Sequence, residues 1–187
     1  MTTASDAFTR TENPLANGWT VQSGLTAMKC AATFATGSVD ATDCGSVWVT
    51  DSFGGNQYSE GVITVQGECG LWVRGSTSVQ QGYLFHGTAS LFTLYKYNGT
   101  FNSLGTFGSG NLNAHTYRIE ATGSGTTTIK CYDNGGLIST ITDSSSPFTS
   151  GRPGIYSFSN ALGWESWNGG DLAADSGHKS RMMMGVG

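Results

Sequence analysis

The chain has 187 residues and a formal net charge of −4, with 28 glycines, 3 prolines and only 12% charged residues. That length suits one domain burying about 70% of its unfolded surface without a disulfide or metal staple. The acidic balance and the lack of any Lys/Arg cluster argue against a nucleic-acid partner, which selects for a basic patch, and no apolar run approaches the roughly 20 residues of a membrane helix.

Glycine without a three-residue period excludes collagen, and aromatic and β-branched residues throughout exclude a disordered linker. Many short strands joined by tight turns account for both. The first expected strand is Trp19–Gln22, just after Asn17-Gly18. The alanine-rich stretch Leu25–Ala35 has no clean 3.6-residue stripe and reads as strand rather than helix. Ser46–Ser52, Tyr58–Gln66, Leu71–Arg74 and Tyr83–His86 follow, with Gly54-Gly55 as one of the turns between them. LFTLYKY (91–97), Asn98-Gly99 and FNSLGTF (101–107) form an expected hairpin. Along Tyr117–Thr122 the period is two, so Tyr117, Ile119 and Ala121 share one face and Arg118 and Glu120 the other. TTTIKCY (126–132), Asp133-Asn134-Gly135-Gly136 and LISTIT (137–142) give the clearest hairpin, because Asn-Gly accepts the two positive φ angles of a type I′ turn. Ile155–Ser159 is the last strand candidate of the set, and Asn168-Gly169-Gly170 reads as a further turn signal. So many short strands in one domain indicate an all-β, two-sheet antiparallel sandwich or jelly roll. The domain is expected over 1–172, with a short non-globular arm over 173–187.

The order of these segments resembles the concanavalin A-like lectin/glucanase superfamily, in particular its laminin G-like jelly rolls. The carrying pieces are DAFTR (6–10) with Gly18-Trp19, GLWVRGS (70–76), LFTLYKYNGT (91–100), YRIEATGSG (117–125), CYDNGG (131–136), SGRPGIYSF (150–158) and ESWNGGDL (165–172). The resemblance implies that the first and last strands pair, bringing the Phe8 segment beside Trp164–Trp167, and that Arg152-Pro153-Gly154 is a turn. It also leaves lectins, sugar-binding modules, glucanases and structural modules open as functions. The ending RMMMGVG after ESWNGGDL resembles the close of structural proteins of tailed bacteriophages with this fold.

No catalytic set is visible. The glucanase branch carries acids in an ExDxE pattern on one strand, and none of Glu12, Glu60, Glu68, Glu120 and Glu165 has an acid at i+2 or i+4. Asp40/Asp43 and Asp171/Asp175 read as solvated turn residues. His86, His115 and His178 share no metal-ligand spacing, and the Asp133-Asn134-Gly135 turn lacks the further carboxylates of a calcium site. No catalytic, metal or cofactor site is therefore expected. Cys30, Cys44, Cys69 and Cys131 form no CxxC pair, and the opening MTTASDAFTR lacks the charged-then-apolar design of a secretory signal, so free thiols are expected.

A sugar-contact platform is the sharper candidate. Trp72 and Arg74 alternate to one face of their strand, opposite Leu71 and Val73, and with Tyr83 they would offer a ring and hydrogen-bonding groups to a sugar. The competing reading puts Trp72 in the sandwich core. The tail offers Met182, Met183 and Met184 as an assembly arm, since methionine fills irregular grooves. Two functions follow. One is a non-enzymatic structural protein of a bacteriophage virion, such as a capsid decoration or minor head or tail protein. It would be made in the host cytoplasm and would self-associate or bind capsid or tail subunits. The other is a lectin-like carbohydrate-binding module for adhesion.

Overall fold

The structure is a computed structural model that describes residues 1–65 and 67–173. The described residues contain strands and no helix. The strands are β1 (Thr3–Asp6), β2 (Thr11–Glu12), β3 (Trp19–Val21), β4 (Met28–Ala31), β5 (Ala35–Gly37), β6 (Cys44–Trp48), β7 (Gln57–Ile63), β8 (Cys69–Gly75), β9 (Gly82–Gly87), β10 (Phe92–Tyr97), β11 (Phe101–Phe107), β12 (Thr116–Thr122), β13 (Thr127–Asp133), β14 (Gly136–Asp143), β15 (Arg152–Ser157) and β16 (Gly163–Asp171).

They form two antiparallel sheets. The larger runs β14-β13-β12-β7-β16-β5-β4-β2, with β1 also paired to β16. The smaller runs β11-β10-β9-β8-β15-β6-β3. This is a two-sheet antiparallel jelly-roll sandwich. The expected pairing of chain ends is present, with Asp6 opposite Trp167 and Thr3 opposite Gly170. Leu25–Ala35 is strand where it is regular, as β4 and the start of β5. Two expected turns are strand instead. Asn168-Gly169-Gly170 lies inside β16, paired with β1 and β7, and Arg152-Pro153-Gly154 is not a turn either. Arg152 opens β15 opposite Gly75, and the register shifts before Gly154 reaches Trp72, so the proline sits at an irregularity where its missing N–H is tolerated.

The main core lies between the sheets. Alternation delivers Tyr117, Ile119 and Ala121 to it from β12, Leu71 and Val73 from β8, and Tyr83 and Phe85 from β9, each at most 3% exposed. At the terminal end Trp19 and Trp167 meet with ring centroids 4.6 Å apart. There Asp6 accepts Trp19 Nε1–H at 2.7 Å and a forked pair of bonds from Arg10, both 2.7 Å. Burial works to raise the Asp6 carboxyl, and these donors outweigh it and hold it below the usual range.

All four cysteines are buried free thiols. Burial pushes Cys69 up to about 12 and raises Cys131 further, so both are unreactive small core residues. At the β13–β14 hairpin Asn134 and Gly135 take φ of 46° and 78°, the two positive angles the turn requires.

Candidate functional site

The outer face of the smaller sheet does not have the polar character usual for a solvated face. It carries a second apolar cluster of Trp72, Leu84, Tyr97 and Tyr156, with Leu25, Tyr95, Phe101 and Phe158 packed around it. The rows follow from register. Trp72 stands opposite Leu84, and Leu84 opposite Tyr95. Tyr156 stands opposite Gly45 on one side and Gly70 on the other, and Gly70 opposite His86. The glycines are needed there. A Cβ at Gly70 would come within 2.6 Å of the Leu84 side chain, and one at Gly45 within 2.7 Å of Leu25 and 3.1 Å of Trp72 Nε1. Bare backbone at these two points is what lets the rings lie across the sheet.

One residue beyond this row the strands end. Ser157 is paired with both Cys44 and Cys69, and their outward neighbours are Phe158, Asp43 and Glu68. Phe158 N–H donates to the Glu68 carbonyl at 2.9 Å. Two carboxylates thus flank one aromatic ring, from strands two sheet spacings apart, about 9–10 Å between Cα atoms. Asp43, Glu68, His86 and Tyr156 join Leu84 and the rings of Tyr95, Phe101 and Phe158 around a cavity of about 180 Å³. A second cavity of about 410 Å³, between Asp40, Thr88, Ser90 and Leu162, shares Glu68 and Phe158 with it.

The polar groups are arranged by burial. Tyr156 Oη–H donates to Asp43 Oδ1 at 2.5 Å, and burial together with that carboxylate raises the phenol far above its ordinary value. Burial lowers His86 to about 4, against a weaker opposing pull from Asp43, so the imidazole is neutral at pH 7. Its ring lies 5.5 Å from Tyr156 and 5.8 Å from Tyr95. Trp72 lies under Phe101 and beside Tyr156, each 6.3 Å away, and its buried Nε1–H has no acceptor among the described residues.

The expected platform of Trp72, Arg74 and Tyr83 is not assembled. All three are 0% exposed and they lie on different sides of the sheet. Trp72 does face outward, but Tyr97 and Phe101 cover it. Tyr83 faces the main core and donates its hydroxyl to Asp143 Oδ2 at 2.7 Å. Arg74 has φ of +56°, which breaks the alternation and turns its side chain away from Trp72 toward the larger sheet. There Nε donates to Gly55 O at 2.9 Å, Nη2 to Gly123 O at 2.8 Å, and Nη1 to Thr127 Oγ1 and Phe148 O.

Of the residues that do come together, the sequence placed Asp43 among solvated turn residues and found no role for Glu68 or His86, while Tyr95, Phe101, Tyr156 and Phe158 drew no functional reading. Asp43 is no free turn residue, since it accepts Tyr156 Oη–H. Asp171 is likewise engaged, accepting the Thr2 and Gly54 N–H groups. Met182, Met183 and Met184 lie outside the described residues, as does Asp175. Among the described residues no three His, Cys, Asp or Glu side chains gather as a metal site requires.

No protein-family model matches the sequence, and the search of curated proteins returns no relative. Solved structures do resemble the chain. The carbohydrate-binding module CBM66 from Bacillus subtilis superposes with a TM-score of 0.58 at 19% identity, over 82% of this chain and 92% of that one. The exoplasmic/lumenal domain of VIP36, in its Ca2+/Man3GlcNAc-bound form, gives 0.58 at 10% identity, over 84% and 85%. The Crh5 transglycosylase gives 0.53 at 10% identity, over 91% and 85%. At these identities the likeness is one of fold. A binding module, a sugar-bound domain and an enzyme share it, so function has to be argued from the site.

Proposed function

We propose that the protein is a non-catalytic glycan-binding module whose site is the aromatic pocket on the outer face of the smaller sheet. The observation that carries this reading is the pocket itself. Rings from β10, β11 and β15 line a concavity whose polar groups, Asp43, Glu68 and His86, stand at its rim and floor. Stacked rings with a few convergent hydrogen-bonding groups are what a sugar, with one apolar face and an edge of hydroxyls, requires. The solved structures of similar fold whose names speak of carbohydrate binding support the same class of ligand. A binding role fits the acids better than catalysis. Asp43 is engaged by Tyr156, and the second acid comes from a different strand rather than from alternate positions of one.

Screening the protein against immobilised oligosaccharides, followed by calorimetry on the hits, tests this reading. Tyr95→Ala removes a half-buried pocket ring and is expected to weaken binding roughly tenfold, about 1.4 kcal/mol. The far-ultraviolet circular dichroism should be unchanged. No cleavage products should accumulate on long incubation. Binding retained in full by Tyr95→Ala would move the site elsewhere, and released shorter oligosaccharides would make the protein an enzyme.

Such a module would serve as a surface component of a virion, a placement that rests on the sequence of residues 173–187. Deleting 173–187 is expected to leave a folded β domain that no longer joins its assembly, read by sedimentation and by incorporation into particles. Full incorporation of the truncated protein would remove the arm as an anchor.

A further inference from the structure

The charges around the pocket are one-sided. Asp43 and Glu68 line it, and among the described residues no Lys or Arg does. Elsewhere in the chain several acids are neutralised by its own cations, while Asp51 and Asp171 are satisfied by N–H donors. Arg10 pairs with Asp6 and Glu12, Lys96 with Asp143, and Arg118 with Glu60 and Glu120. Among the described residues neither Asp43 nor Glu68 joins an ion pair. The Glu68 carboxylate accepts no hydrogen bond from them either, although the residue is partly buried beside Phe158.

The rings sharpen the same preference. An aromatic face carries a negative quadrupole and attracts a cation within about 6 Å of its centre. Tyr95, Phe101, Tyr156 and Phe158 surround the space that the two carboxylates border. His86 brings no competing charge, since burial keeps it neutral at pH 7. The cavity of about 180 Å³ accommodates one sugar ring, and the adjoining cavity of about 410 Å³ continues past Glu68 and Phe158, where a second unit would lie.

We propose that this pocket selects glycans carrying a free, positively charged amino group, an unacetylated 2-amino sugar within an oligosaccharide, with the ammonium held between Asp43 and Glu68. The inference rests on the glycan-binding reading and names the ligand class for that site. An acetamido or hydroxyl group at the same position would leave the two carboxylates without a counter-charge.

The test is calorimetric titration with a β-1,4-linked glucosamine tetramer and with its fully N-acetylated counterpart, at about pH 6, where carboxylates are ionised. The amino tetramer is expected to bind at least roughly tenfold more tightly. Raising the salt to about 0.5 M, where the Debye length falls to about 4 Å, should shrink that preference. Glu68→Gln and Asp43→Asn should each reduce it, with nuclear magnetic resonance spectra confirming that the variants are folded. Equal binding of the two tetramers, or a preference for the acetylated one, overturns the inference and leaves glycan binding standing. Binding of neither tetramer, with no hit among immobilised oligosaccharides, overturns both. Tetramethylammonium binding as tightly as the amino tetramer would identify a general cation cage and also overturn the inference.

Discussion

Arg74→Met is expected to destabilise the domain by about 2–4 kcal/mol, which for a chain of this size lowers the melting temperature by roughly 5–15 °C. The Arg74 side chain is wholly buried and meets no carboxylate among the described residues. Instead its guanidinium fastens the end of β8 to three loops, through Gly55 before β7, Gly123 before β13 and Phe148 before β15. Burying a cation is unfavourable, and desolvation does lower the pKa of this one. That penalty is offset only because the donors reach fixed acceptors. Methionine restores the apolar volume and removes the charge, but it leaves the carbonyls of Gly55 and Gly123 without these donors, each worth about 1–3 kcal/mol if water does not replace them. Phe148 O fares better, since Thr127 Oγ1 also donates to it at 3.1 Å. Arg74→Lys should recover little, because an ammonium group cannot span acceptors spread around a planar fork. Urea unfolding of the three proteins measures the effect. A change below about 0.5 kcal/mol for Arg74→Met would mean that solvent replaces the guanidinium at these carbonyls.

The contrast between Arg74 and Tyr117 shows what the sequence can carry. On β12 the alternation of TYRIEAT is uninterrupted, and burial follows it residue by residue. The Asn134-Gly135 turn was legible because local chemistry decides it, whereas the pairing of the chain ends, Asp6 with Trp167, was implied only by the family resemblance. Alternation fails at Arg74 because a non-glycine residue takes a left-handed φ, and no residue type there signals it. The pocket was hidden for a different reason. Asp43, Glu68 and Tyr156 meet only through the register of β6, β8 and β15, and Tyr156 lies 113 residues from Asp43. Each acid alone reads as a loop residue. The signal available was bare backbone in two strands, Gly70 next to Leu71-Trp72 and Gly45 in the Cys44–Trp48 run. Its meaning depends on which rings arrive from other strands.

His86 is expected to make the domain lose stability between about pH 6.5 and pH 4, above the range in which carboxylates act. In the unfolded chain the imidazole titrates near its ordinary 6.5, while burial lowers it to about 4 in the fold. Between those values the unfolded chain binds the extra proton, so stability is fully present above about pH 6.5 and declines as pH falls through the folded value. The full difference corresponds to about 3 kcal/mol, and the partial exposure of the ring makes about 2–3 kcal/mol the better expectation. Asp43 pulls weakly the other way, and the remaining neighbours are the rings of Tyr95 and Tyr156, with Glu68 on the same rim. Asp6, Glu12 and Asp143 act at lower pH. Burial raises each of them, the pairing with Arg10 or Lys96 outweighs it, and their contributions disappear only as pH falls below the usual carboxylate range of about 4. The two windows can therefore be separated. Unfolding free energies measured from about pH 7 to pH 4 should fall for the native protein and stay nearly level for His86→Phe, which keeps a ring against Tyr95 and Tyr156 and cannot take a proton. Parallel curves for the two proteins would mean that the imidazole is hydrated in the fold and that the pocket floor is wetter than its lining of rings implies.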